Sequence, residues 1–120
     1  MLRKYLLFLS TGAVAFAWVR IPPCGHCHKI HIHCENGRTK TDRRKVTVVR
    51  NSNLTGIEWE ALPTGNPNWT VTFDSDRPCG RPRIDNQNPV CDVTGAPGRY
   101  VYRVKLEGCE REGRGEIIVK

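Results

Sequence analysis

The chain has 120 residues and a formal net charge of +7, with 38% hydrophobic and 26% charged residues. That length holds one domain and excludes two of ordinary size. The balance of apolar and charged residues excludes fibrous and intrinsically disordered classes.

The first 20 residues differ from the rest. Arg3 and Lys4 form a short basic region, Tyr5 to Phe16 is mostly apolar, and Ala15-Phe16-Ala17 is a small-x-small cleavage signal. This is the anatomy of a secretory signal peptide, so residues 1–17 are expected to be removed. The apolar run falls short of the ~20 residues a membrane span needs, so no stable span is expected after cleavage. Cys24 lacks the preceding small residue of a lipoprotein processing site. The expected location is therefore exported, either periplasmic or extracellular. The mature part keeps 17 Lys and Arg against 12 Asp and Glu, a net charge of +5. In an oxidising compartment, six cysteines in a domain of about 100 residues suggest disulfides.

Residues 18–28 read as a Cys/His-rich arm, opened by the stiff Arg20-Ile21-Pro22-Pro23. The domain proper is expected over residues 29–120. From Lys29 the pattern alternates, with Ile30 and Ile32 on one face and His31 and His33 on the other, as in a half-buried strand. Asn36-Gly37 is a strong turn signal. The run from Arg38 to Arg50 holds Arg38, Lys40, Arg43, Arg44, Lys45 and Arg50. It reads as a solvated loop and strand edge, with an acidic redox or surface protein as the candidate partner. It lacks the interleaved aromatics that single-stranded nucleic-acid readers use, and no nucleic acid is expected.

Lys45-Val46-Thr47-Val48-Val49 is rich in β-branched residues. Gly56 to Ala61 puts Ile57 and Trp59 on one side and Glu58 and Glu60 on the other. Trp69, Val71 and Phe73 alternate with Thr70 and Thr72. Asp74 to Gly98, interrupted by Pro78, Pro82, Pro89 and Pro97, has no sustained period and needs something to hold it; a Cys79–Cys91 bridge would close it. Tyr100, Tyr102, Val104 and Leu106 alternate against Val101, Arg103 and Lys105, and Gly115 to Lys120 closes the chain. Six short strands, with Trp59, Trp69, Phe73, Tyr100 and Tyr102 as the core, argue for an all-β antiparallel sandwich or barrel.

The series Lys45-Val46-Thr47-Val48, Ile57-Glu58-Trp59, Trp69-Thr70-Val71-Thr72-Phe73, Gly98 to Val104 and Glu116-Ile117-Ile118-Val119 resembles small cupredoxin-like domains of bacterial exported proteins. The resemblance spans roughly residues 29–120 and implies a Greek-key, cupredoxin-like or Ig-like β-sandwich. The family's copper site departs here. Type-1 copper takes two His and a Cys, usually with a weak axial Met. This chain has no His after His33, its only Met is Met1, and Cys109 has no nearby His.

Residues 22–34 hold all four histidines and half of the cysteines, and three readings of them stay open. Cys24-Gly25-His26-Cys27-His28 matches Cys-x-x-Cys-His, the attachment pattern of c-type haem. Cys24 and Cys27 would take the vinyl groups, His28 would be the proximal ligand and His31 or His33 the second. Alternatively Cys24, Cys27, His26, His28, His31 and His33 would hold zinc or copper, which thiolates with imidazoles suit. In the third reading the cysteines are structural, Cys24 with Cys27, Cys79 with Cys91 and Cys34 with Cys109. No Ser-centred elbow or carboxylate pair supports hydrolase chemistry, and no catalytic residue is assigned. The expectation is a non-enzymatic binding or structural module whose arm holds a metal ion. The alternative is an electron carrier with one covalently attached haem.

Overall fold

The computed structural model describes residue 24 and residues 26–62, 67–74 and 77–120. The expected signal peptide and the opening of the expected arm lie outside the described residues. Nine strands follow in order: β1 (Cys27–Glu35), β2 (Arg38–Thr41), β3 (Lys45–Val48), β4 (Gly56–Ala61), β5 (Trp69–Phe73), β6 (Arg83–Asp85), β7 (Val90–Asp92), β8 (Gly98–Leu106) and β9 (Gly113–Val119). No helix occurs among the described residues, and none is long and apolar enough to cross a membrane. The strands form two sheets, ordered β2-β1-β4-β7 and β3-β9-β8-β5-β6. This is the all-β, two-layer sandwich that the strand patterns predict.

Each layer is explained by alternation. Along β1, Ile30 and Ile32 are fully buried while Lys29, His31 and His33 face outwards. The same period buries Ile57 and Trp59 on β4, Trp69, Val71 and Phe73 on β5, and Tyr100, Tyr102, Val104 and Leu106 on β8. The five expected core aromatics are all buried. Trp59 and Phe73 both meet the Tyr102 ring edge-on, with centroids 5.6 and 6.1 Å apart, the geometry that aromatic quadrupoles favour. Tyr102 lies over Gly115, its register partner on β9, where a Cβ would collide with the ring. Asn36 and Gly37 both have positive φ, 54° and 77°, and close the two-residue hairpin between β1 and β2.

Three features differ from the sequence expectation. First, the sheets are mixed: β1 runs parallel to β4, and β3 parallel to β9. A parallel pair needs a crossover; here the chain leaves β1, turns into β2, crosses to β3 in the other sheet and returns to β4. Side-chain alternation is identical for both pairing senses, so it carried no sign of this. Second, the basic run contains a strand, β2, whose buried residues are Thr39 and Thr41 in place of apolar ones. Third, the stretch 74–98 holds the three-residue strands β6 and β7, one adding to β5 and the other to β4. This stretch therefore spans both layers, and the Cys79–Cys91 disulfide closes it.

Candidate functional site

The ligand-rich segment is mostly strand. β1 begins at Cys27, two residues before the point where its alternation becomes readable, so Cys27 and His28 belong to the sheet. Parity then sorts the segment. Cys27, Lys29, His31, His33 and Glu35 lie on the outer face; His28, Ile30, Ile32 and Cys34 lie on the inner one. The parallel register confirms the sorting, pairing His28 with buried Ile57, and Lys29 and His31 with Glu58 and Glu60.

Cys24 and Cys27 are joined in a disulfide, with Cα atoms 5.6 Å apart. It rests on Gly56, the register partner of Cys27 on β4. A Cβ at Gly56 would collide with the Cys27 sulfur and come within 3.3 Å of the Cys24 sulfur. Gly56 is thus the seat of the bridge, and lacks a side chain for that reason. Nothing in the local sequence marks it, because the need arises from register.

His31 is tied on three sides. Its backbone N–H donates to Asp42 Oδ1 at 2.8 Å, its Nδ1 lies 3.0 Å from Asp42 Oδ2, and its Nε2 lies 3.5 Å from Glu60 Oε1. Burial of Asp42 works to raise its pKa, but the two bonds from His31 and the charge of Arg43 outweigh that and hold the carboxyl below its ordinary range. His33 Nε2 lies 3.8 Å from Glu35 Oε1. Lys29 Nζ lies 3.2 Å from Glu58 Oε1. Half-buried His28 has its pKa lowered by desolvation first and by the Arg43 charge second, against a backbone hydrogen bond with Leu54 that raises it.

These placements give the haem reading no support. Thioether attachment needs two thiols, and the sulfurs of Cys24 and Cys27 are bonded to each other. Of the three axial candidates, His28 stands on the opposite face of β1 from His31 and His33, so it faces no common centre with either. The same disulfide leaves Cys24 and Cys27 without free thiolates for the metal reading. Among the described residues no three His, Cys, Asp or Glu side chains converge as a metal-holding group. His31 and His33 share a face, but both ring nitrogens of His31 already meet carboxylates. His26 is exposed in the turn before β1.

The other cysteines are paired as well. Cys34, at the end of β1, is joined to buried Cys109 in the turn after β8, and Cys79 to Cys91. The Cys34–Cys109 bridge joins the two sheets at one end. A second joint lies alongside it. Thr39 of β2 donates its N–H to the Arg111 carbonyl, and its hydroxyl accepts the Leu106 N–H of β8 at 3.2 Å. Gly113 leaves the space this needs, since a Cβ there would collide with the Thr39 carbonyl.

The seam so formed is open to solvent and basic. One groove of about 310 Å³ is lined by Arg38, Lys40, Arg44 and Arg114 over Thr39 and Gly113. A second groove, of about 340 Å³, lies along β3, β9 and β8 of one sheet; it shares Arg44 and Arg114 and adds Lys45, Arg99, Val101 and Glu116. The sequence marks Arg38 to Arg50 as basic, but Arg99 and Arg114 join them only through the pairing of β8, β9 and β3.

No family model and no curated protein matches this chain. Among solved structures, a match is found to auracyanin A, described as a "blue" copper protein from the green thermophilic photosynthetic bacterium Chloroflexus aurantiacus. It is 14% identical, with 78% of this chain and 99% of that chain covered at a TM-score of 0.43. At that degree of likeness the architecture is judged from the strand order above, and nothing about copper transfers to this chain.

Proposed function

We propose that this protein is an exported, non-enzymatic binding module: a disulfide-locked β-sandwich that meets its partner with the polar outer surface of its sheets. The observation that carries this reading is the state of the Cys/His segment. Its cysteines are consumed in bridges, its inner face contributes Ile30 and Ile32 to the core, and its outer histidines are held one by one against carboxylates. A segment built this way is a fixed surface of the sheet and not a free arm. Three disulfides in a chain of this size fit an oxidising compartment, in line with the signal-like leader. Among the described residues, the buried polar side chains are Thr39 and Thr41, and half-buried His28 is the one ionisable group on the inner face of β1, which supports no interior reaction centre. The donors left for a metal ion are the surface imidazoles of His26, His31 and His33, of which His31 and His33 already face carboxylates.

The test is elemental analysis and a visible spectrum of protein isolated oxidised from its host, with and without Cys24→Ala/Cys27→Ala. The reading expects a colourless protein without stoichiometric zinc or copper, and a variant that keeps its fold and surface contacts. A stoichiometric metal lost in the variant would overturn it.

A further inference from the structure

We propose that the basic surface running from the seam between the sheets onto β3, β9 and β8 of one sheet is a docking groove for an anionic polysaccharide. The inference rests on the reading of the protein as a surface-binding module and names the partner of one surface.

Six cations and one carboxylate line the two concavities, which share Arg44 and Arg114. The carboxylate, Glu116, is paired with Arg99 at 2.6 Å. Two other pairs reach the seam: Lys40 to Glu35 at 3.4 Å and Arg114 to Asp74 at 3.5 Å. Among the described residues no carboxylate forms a salt bridge with Arg44 or Lys45. Arg44 stands at the junction of the two grooves. Four of the six cations are arginines, whose rigid forks match planar or tetrahedral oxyanions in a way that lysine does not. A concentration of one sign in a concave site focuses the field and favours an anion there.

The chemistry of the partner follows from what the seam lacks. Protein–protein interfaces depend on a buried aromatic or apolar anchor. The large apolar side chains exposed among the described residues are Val49 and Leu62, and neither lines the grooves. Single-stranded nucleic acids are held by aromatic stacking, and the described aromatics, Trp59, Trp69, Phe73, Tyr100 and Tyr102, are all buried. Duplex readers lay a helix or β-ribbon along the nucleic acid over about 1,000 Å² or more of protein surface, whereas the basic residues here line two small concavities. A single chain of sugars bearing sulfate or carboxylate groups needs neither apolar anchors nor stacking platforms, and its charges are spaced along a thin chain that a groove accepts.

The test uses heparin as the probe, with double-stranded DNA, poly-glutamate and neutral dextran beside it, titrated calorimetrically across a salt series. Arg44→Glu/Arg114→Glu reverses the two shared cations; Arg77→Glu/Arg83→Glu makes the same charge change away from the grooves, with Arg83 on β6 at the far edge of the sheet. The expected result is heparin binding that weakens with salt and is lost by about tenfold or more in the seam variant. The fall of log K with log salt should shrink by about two units there, one per lost contact. The distal variant should bind within about threefold of the parent. Both variants are checked by near-ultraviolet circular dichroism; if the double seam variant fails to fold, Arg44→Glu alone, which breaks no salt bridge among the described residues, carries the same test. Equal losses in both variants would reduce the effect to net charge and overturn the proposal. So would absence of heparin binding at low salt, or duplex DNA or poly-glutamate binding as tightly with the same seam dependence. A colourless, fully oxidised protein that ignores heparin loses this proposal and keeps the binding-module reading; a haem- or metal-loaded protein loses that reading whatever heparin does.

Discussion

Removing the Cys34–Cys109 bridge should be the most damaging of the three disulfide deletions. The bridge closes a loop of sequence separation 75, against 12 for Cys79–Cys91 and 3 for Cys24–Cys27. In the chain-entropy account the stabilisation grows with the logarithm of loop length, which gives about 4.5, 2.8 and 1.6 kcal/mol respectively. Whole domains of this kind are stable by only about 5–15 kcal/mol, so Cys34→Ala/Cys109→Ala removes a large part of the total. Alanine is the right replacement because Cys109 is buried, and serine would add the cost of burying a hydroxyl. Urea unfolding followed by tryptophan fluorescence reports the change, since Trp59 and Trp69 are both buried. The midpoint should fall most for Cys34→Ala/Cys109→Ala and least for Cys24→Ala/Cys27→Ala. The denaturant slope should rise in the first, because its unfolded chain is freed to expose more surface. If the two deletions cost the same, the entropic account of how the sheets are tied would be refuted.

Three further outcomes follow from single contacts. Gly56→Ala should cost about 1–3 kcal/mol by overpacking, and this cost should largely vanish in a Cys24→Ala/Cys27→Ala background, because the disulfide sulfurs are what the new methyl meets; a double-mutant cycle of unfolding energies measures the coupling. Thr39→Val leaves the buried Leu106 N–H without its acceptor and should cost about 1–3 kcal/mol in the same assay. Asp42 has a folded-state pKa below its ordinary value, so the unfolded chain takes up its proton first as pH falls. The stabilisation is present above the unfolded carboxylate pKa and is lost as pH drops through the folded one. Asp42→Asn should therefore flatten the loss of stability below about pH 4, read from melting temperatures across a pH series; an unchanged acid limb would contradict the role given to the His31–Asp42 contact.

How much of this was legible in the sequence depends on where each constraint originates. Strands whose inner face is β-branched or aromatic, such as Trp69 to Phe73 and Tyr100 to Leu106, announce themselves by period. β2 does not, because Thr39 and Thr41 are selected for a hydrogen-bonded joint between sheets and look like turn or surface residues in isolation. β6 and β7 are too short to show a period; Ile84 and Cys91 are the single inward residues of each. The candidate site was legible only as composition. Cys-x-x-Cys-His is satisfied letter by letter in residues 24–28, yet parity places His28 on the opposite face from His31, and Gly56 across the ladder shapes the space for a disulfide. Asp42, the partner of His31, lies eleven residues away across a hairpin. Arg99 and Arg114 reach Arg44 only through a parallel pairing that no local pattern encodes. Long-range register decides function here, and register is the property that single-residue patterns carry least.

The central claim is that the cysteines of this protein are structural and that its Cys/His segment is a fixed face of the sheet. The most direct measurement is the intact mass of thiol-blocked, unreduced protein isolated from its host, taken beside its visible spectrum. The account predicts no alkylation, no Soret band and a mass six hydrogens below that of the reduced chain, corresponding to the three bridges. A mass raised by one haem, or alkylation at Cys24 and Cys27, would contradict it.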